Sequence, residues 1–365
     1  MTSFQAFKVD VMTSTTHHPA LRGGLLALCA ALLFGISTPL VQRFGLGLGS
    51  FTTAALLYAG ASLIGALLRQ PIELEARLRR SDLPRLGWMA LFGAAIGPVA
   101  LAWGLQRTSG TSGSLVLTLE AVFTVVLARL WYQETLDRRV TLALGLLSLG
   151  GAALVLDQAQ TGGGQVLGLA AVMLATAAWG VDNTLSRALA DRDPGQVVMF
   201  KGALGAAATA TLAVLWGEPL PGLWPALGLL AVGATGYGLS LRFYLLAQRA
   251  FGAARTGSVF AFAPFVGALL AIALGDRSGG VWLLAGAALM LAGIVLHLME
   301  RHAHAHQHEA LDHEHAHQHD DGHHTHQHDG MPQGAHSHRH VHEPQRHEHA
   351  HVPDEHHQHQ HPHAH

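Results

Sequence analysis

Residues 24–42 read Gly24-Leu25-Leu26-Ala27-Leu28-Cys29-Ala30-Ala31-Leu32-Leu33-Phe34-Gly35-Ile36-Ser37-Thr38-Pro39-Leu40-Val41-Gln42. No side chain in this run is charged, and at 1.5 Å per residue a helix of this length crosses the roughly 30 Å hydrocarbon layer of a bilayer. Nine further runs have the same character: Phe51–Leu68, Leu86–Leu105, Gly113–Leu130, Val140–Leu156, Val166–Leu185, Gln196–Trp216, Trp224–Ala247, Thr256–Gly275 and Val281–Leu298. Breakers such as Gly45-Leu46-Gly47, Thr161-Gly162-Gly163-Gly164 and Glu218-Pro219-Leu220-Pro221 lie between them and suit tight interfacial turns. The chain therefore reads as an all-α integral membrane protein with ten transmembrane helices. Composition agrees, with 50% hydrophobic and 13% charged residues against about 25% charged in soluble domains. No separate cleavable segment precedes the first run, which reads as a signal anchor. Cys29 is the only cysteine, which excludes an intrachain disulfide, a CxxC redox pair and a Cys-based zinc site.

Orientation follows from the arginines and lysines of the short connections, because the side with the excess is cytoplasmic. With the N-terminus inside, Lys8, Arg22, Arg69, Arg77, Arg79, Arg80, Arg85, Arg138, Arg139, Arg187, Arg192, Arg249, Arg255 and Arg301 lie on one side, and only Arg43, Arg107 and Arg277 on the other. An even helix count then places both termini in the cytoplasm of a cell whose inner (plasma) membrane holds this multi-pass chain.

Ten helices divide into two related fives. Phe34-Gly35, Ser37-Thr38 and Leu40 fall on Trp179-Gly180, Asp182-Asn183 and Leu185 at an offset of 145 residues, and Gly113-Ser114 falls on Gly257-Ser258 at an offset of 144, which sets Glu120 against Pro264. Because five is odd, the second copy enters the membrane upside down, the inverted-repeat arrangement of many transporters. The predicted organisation is an N-terminal cytoplasmic segment over 1–22, repeats over 23–157 and 165–299, and a tail over 300–365.

Over roughly residues 22–299 the sequence resembles the drug/metabolite transporter superfamily, specifically permeases with two EamA-type repeats. The resemblance is carried by Ala31-Leu32-Leu33-Phe34-Gly35-Ile36-Ser37-Thr38-Pro39, by the fourth helix running to Glu134, by Ala263-Pro264-Phe265, and by Gly286-Ala287-Ala288-Leu289 through Gly293. It implies a permease for small organic solutes. The chain departs from the family pattern at Glu120, where a mid-helix proline is usual, and at Gly275-Asp276, where Gly-Glu is usual. The tail looks like that of a His-rich branch of these proteins, especially at Asp354-Glu355-His356-His357-Gln358-His359.

Ionisable groups inside membrane spans are expensive and mark function by default. The candidates for a transport pathway are Glu120, Asp182 with Asn183, Lys201 and Arg242, together with the helix-breaking Pro39 and Pro264. Glu120 lies near mid-helix, where a carboxyl can take up and release a proton in step with solute. Asp182-Asn183 suits a cation or an amine, whereas Lys201 and Arg242 suit a carboxylate or phosphate; a plain salt bridge between helices is the structural alternative. Arg129 can snorkel to the interface. Trp103, Trp179, Tyr237 and Tyr244 can line a cavity or simply pack. No Walker lysine loop, dinucleotide fingerprint or HExxH occurs, so no enzyme is expected.

The tail holds 25 of the 28 histidines. Candidate metal ligands are His302, His304, His306, His308, His313, His315, His317, His319, His347, His349, His351, His356, His357 and His359, interleaved with carboxylates. In an extended chain, residues two apart share a side, and neutral imidazole suits zinc, nickel and cobalt. The segment has almost no aliphatic or aromatic residues to form a core, so it is expected to be disordered without metal. The function expected is thus secondary transport of a small solute by alternating access, with no required cofactor and a regulatory tail that binds Zn, Ni or Co. The alternatives are a transition-metal transporter and a membrane-anchored metal sensor. Expected partners are the bilayer, the solute, the metal ions and a second copy in a homodimer, with no nucleic acid.

Overall fold

The computed structural model describes residues 19–71, 75–132, 138–160, 162–189, 192–251, 253–298, 303–307, 311–317, 336–342 and 346–350. The body is helical throughout: α1 Pro19–Gly45, α2 Ser50–Leu67, α3 Arg80–Leu105, α4 Gly110–Trp131, α5 Arg138–Ala159, α6 Gly163–Ser186, α7 Pro194–Leu215, α8 Leu223–Ala250, α9 Thr256–Ala273 and α10 Val281–Leu298. Among the described residues nine helices are long and apolar enough to span a bilayer, and α10 adds a shorter apolar run over Val281–Leu296. Their outward faces carry many exposed large apolar side chains, among them Leu63, Leu142, Leu174, Val214 and Leu284. Water would not tolerate such a surface, and a bilayer requires it.

Packing repeats with the helices exchanged. α1 lies against α8 and α9, and its counterpart α6 lies against α3 and α4; α2 packs on its own counterpart α7, and α5 on α10. The last contact shows why small residues sit there. A Cβ at Gly150 would come 2.8 Å from the Gly286 carbonyl oxygen, and one at Gly286 would come 2.9 Å from the Gly150 carbonyl oxygen. Only glycine at both positions lets the two backbones approach so closely.

Two irregularities also repeat. π-Helical turns occupy Ala90–Ile96 in α3 and Gly233–Leu239 in α8, the same position 143 residues apart. The fourth helix of each repeat is broken: a 3-10 turn over Leu117–Leu119 precedes Glu120 in α4, and Ala261 and Phe262 form a turn before Ala263 and Pro264 in α9. Pro264 thus marks a break as expected. Pro39 does not, since α1 runs through it without interruption. The carbonyl of Gly35, which loses its helical donor at Pro39, lies against α9, where a Cβ on Gly267 would meet it at 2.9 Å. Close packing covers that carbonyl without opening the helix.

Each end of the bundle is tied across the repeats. At the arginine-rich end Arg192 pairs with Asp82 at 2.9 Å and Arg249 with Glu75 at 2.8 Å, and the Arg242 guanidinium donates to the Leu68 carbonyl at 2.8 Å. Burial pushes the Glu75 carboxyl up despite the Arg249 charge beside it. At the opposite end Glu218 accepts from the Thr52 amide at 2.7 Å and the Phe51 amide at 3.2 Å, and Asp276 accepts from the Thr111 amide at 2.8 Å. Burial pushes Asp276 up, but hydrogen bonds from Ser278 and Thr111 outweigh it and hold the carboxyl below the usual carboxylate range.

In the tail the described runs form strands: β1 Ala303–Gln307 with β4 Arg346–Ala350, and β2 Leu311–His317 with β3 His336–His342, both antiparallel. Residue numbers in every pair of both ladders sum to 653, so the ladders share one hairpin register. His304 stands opposite His349, His306 opposite His347, His313 opposite His340 and His315 opposite His338. Regular backbone pairing therefore extends into the segment expected to be disordered without metal, and the His-x-His alternation has the strand period of two. His302, His308, His319, His351, His356, His357 and His359 lie outside the described residues.

Candidate functional site

Helices α1, α2, α4, α6, α7, α8 and α9 line a central cavity. Its polar members are Glu120, Asp182, Asn183, Lys201 and Ser240, and its walls are the rings of Phe34, Tyr58, Trp179, Tyr237, Tyr244 and Phe260. Lys201 and Asp182 form an ion pair with both residues more than nine-tenths buried. Asn183 donates to the Glu120 carboxylate, which joins the break in α4 to the last turn of α6. The second Asp182 oxygen, Oδ1, is buried and has no hydrogen-bond partner among the described residues. An acceptor in that condition is costly unless something occupies the space in front of it.

The rings form a continuous wall. Phe34 meets Trp179 edge-on at 5.6 Å between centroids and Tyr237 at 5.9 Å; Tyr58 meets Tyr237 at 5.5 Å, and Tyr244 meets Phe260 at 5.0 Å. The π-helical turns set this wall in place. In α3 the Gly93 carbonyl accepts from Trp179 Nε1 at 3.0 Å and from the Tyr58 hydroxyl, so one backbone atom orients two rings. A Cβ at Gly93 would collide with the Asp182 carboxylate, and one at Gly236 would collide with Ser37. The inverted symmetry is visible here, since Ser37 and Asp182 are counterparts at an offset of 145, as Gly93 and Gly236 are at 143.

Gly93→Ala is expected to push Asp182 away from Lys201 and reduce solute binding at least about tenfold, while Gly87→Ala, where the added methyl meets open space, leaves it unchanged. Tryptophan fluorescence titration of the two variants measures this. Equal binding by both would sever the bulge from the site.

Of the pathway residues read from the sequence, Glu120, Asp182, Asn183 and Lys201 come together here. Arg242 lies with the arginine-rich end and Pro39 and Pro264 lie outside the cavity lining. Trp179, Tyr237 and Tyr244 line it, whereas Trp103 is exposed under the Arg107 guanidinium at 3.7 Å. Tyr58, Phe260 and Ser240 also line the site, and nothing in their residue type or spacing singles them out.

Comparison with known proteins then decides the family. The profile of the EamA-like transporter family matches residues 21–156 and again 166–299, well over half of the sequence. The chain belongs to the EamA-like transporter family. An uncharacterized transporter of Methanothermobacter thermautotrophicus is 28% identical over 270 residues, covering 68% of this chain and 78% of that relative. A protein of known crystal structure shares the fold, with a TM-score of 0.56 and 20% identity over 76% of this chain and 97% of its own. The two EamA-like matches coincide with the two sets of five helices, and the boundary between them falls in the Gly162-Gly163-Gly164 connection.

Proposed function

We propose that this EamA-like protein exchanges a small organic amine for protons across the cytoplasmic membrane by alternating access of its two repeats. The observation that carries the reading is the buried, unpartnered Oδ1 of Asp182 beside Glu120 in an aromatic-walled cavity. Two carboxylates face one ammonium group there, so the cavity favours positive charge when all three are ionised. Lys201 is already engaged by Asp182, and the Arg242 guanidinium is held by the Leu68 carbonyl. Little is left to receive a solute carboxylate. Aromatic faces attract a cation by about 0.5–2 kcal/mol each when desolvated. Amine and proton compete for the same carboxylates, and that competition is what couples the two flows. Orientation follows the arginine excess, which puts both termini in the cytoplasm.

The test uses purified protein in proteoliposomes with 2-phenylethylamine and, as a matched anion, 3-phenylpropionate. Accumulation of the amine driven by a pH gradient is the expected result. Uptake of the carboxylate alone would overturn the amine reading and leave a permease of different selectivity.

The tail acts in this reading as a cytoplasmic metal buffer. Histidines are Cα partners of histidines at four places along one register of the paired strands, and neutral imidazole suits zinc, nickel and cobalt. Metal as transported cargo is less favoured, because the membrane body carries no histidine except His297 and no cysteine except Cys29. The peptide 302–365 is expected to bind zinc, nickel or cobalt at about pH 7.5 and to release it as pH falls through about 6.5, where imidazole protonates. A chain ending at Arg301 should still carry the amine in metal-free buffer. Calorimetry of the peptide and transport by the truncated chain check the two halves of this statement separately.

A further inference from the structure

A second cavity opens at the arginine-rich end, between the connection that follows α2, the start of α3 and the first turns of α7. Four arginines line it: Arg69, Arg77, Arg79 and Arg80. Among the described residues, the carboxylates near Arg69, Arg77 and Arg80 are engaged elsewhere. Asp82 takes Arg192 and the Arg79 amide, Glu75 takes Arg249, and Asp193 accepts from the amides of Gly195 and Gln70. Arg69, Arg77 and Arg80 have no carboxylate within salt-bridge distance among the described residues. Guanidinium groups cannot shed their protons to relieve the crowding. Leu78 and Gln196 also line it, and Leu83 and Phe200, 56% and 45% exposed, form its outward apolar edge.

We infer that this cavity binds the headgroup of one anionic phospholipid, its phosphodiester held by the arginines and its acyl chains lying along Leu83 and Phe200. The chemistry recognised is a phosphate oxyanion, for which arginine offers paired donors. The flanking apolar residues favour a lipid over free phosphate, and basic pockets on the cytoplasmic side of helical bundles are suited to such headgroups. The site is separate from the central cavity and does not depend on what solute is carried. It adjoins the Asp82–Arg192 and Glu75–Arg249 pairs, so a bound headgroup would brace the first-repeat segment that those pairs tie to the second repeat.

The test takes the full-length protein, delipidated in neutral detergent, and measures retained lipid by native mass spectrometry and unfolding temperature by thermal shift. Phosphatidylglycerol is expected to stay bound and raise the unfolding temperature, whereas phosphatidylcholine and inorganic phosphate at equal concentration do neither. Arg77→Ala with Arg80→Ala should weaken phosphatidylglycerol retention about thirtyfold, from roughly a fivefold contribution per arginine near an anionic surface. Arg138→Ala with Arg139→Ala, exposed on the same side, should retain it. Equal loss in that control would reduce the effect to general surface charge and overturn the site. Equal stabilisation by inorganic phosphate would make it a soluble-anion site and overturn the lipid assignment. Should the double alanine variant fold poorly, Arg77→Lys with Arg80→Lys keeps the charge, and its retention is expected to fall between the two.

Discussion

Glu120→Gln is expected to leave the protein in the membrane and to collapse pH-driven accumulation of the amine to an inside-to-outside ratio of about one. The substitution keeps the size of the side chain and its hydrogen bond with Asn183, and removes the one feature a proton needs. Asp182 cannot take over the role while Lys201 holds it in an ion pair. In a one-for-one exchange each pH unit supports roughly a tenfold solute gradient, because 1.4 kcal/mol is a factor of ten. A gradient of two pH units therefore separates the wild type from the variant by about a hundredfold. Exchange of labelled for unlabelled amine needs no proton and should persist. A variant that still builds the full gradient would reassign coupling away from Glu120.

Lys201→Met should be the most destabilising single change in the central cavity, by about 3–5 kcal/mol, the usual cost of stripping one partner from a buried ion pair. Asp182 would remain with both oxygens buried and neither charge nor donor to satisfy them. Adding Asp182→Asn to the same chain should recover most of that loss, since the pair is then replaced by neutral groups of similar volume. The doubly substituted protein is expected to fold and to bind no amine. Thermal unfolding of the two variants in detergent, read beside amine binding, checks this. If the single substitution is as stable as the double, the Lys201–Asp182 contact carries little energy.

The parts of the site that were legible in the sequence are those that violate the bilayer. Glu120, Asp182 and Lys201 announce themselves as charges in apolar runs, because each is costly there. Depth can be read from position along a helix, but the direction a side chain faces cannot, and this is why Arg242 groups with the others by sequence whereas its hydrogen bond to Leu68 places it at the arginine-rich end. Tyr58 and Phe260 carry no such signal, as aromatic residues are ordinary in membrane helices. The π-helical turns were invisible for a different reason: they arise from a one-residue shift in backbone pairing and demand no particular side chain. Their recurrence 143 residues apart needed three-dimensional structure to be noticed. Pro39 shows the converse, a strong breaker whose effect was absorbed by the packing of α9.

The caps at the end opposite the arginines join residues from the two repeats that lie far apart in sequence. Gly49 gives α2 no side-chain cap of its own, and the amides at its start are met by Glu218, 166 residues later; α4 has Ser109 to cap its Ser112 amide, but its Thr111 amide is met only by Asp276, 165 residues on. During synthesis the first repeat therefore leaves the translocon with helix starts unfinished, and they close only after the second repeat has been inserted. The halves are copies in sequence without being independent in assembly. A first half expressed alone would be an incomplete intermediate, and the same half supplied with its partner as a separate polypeptide would have what it lacks.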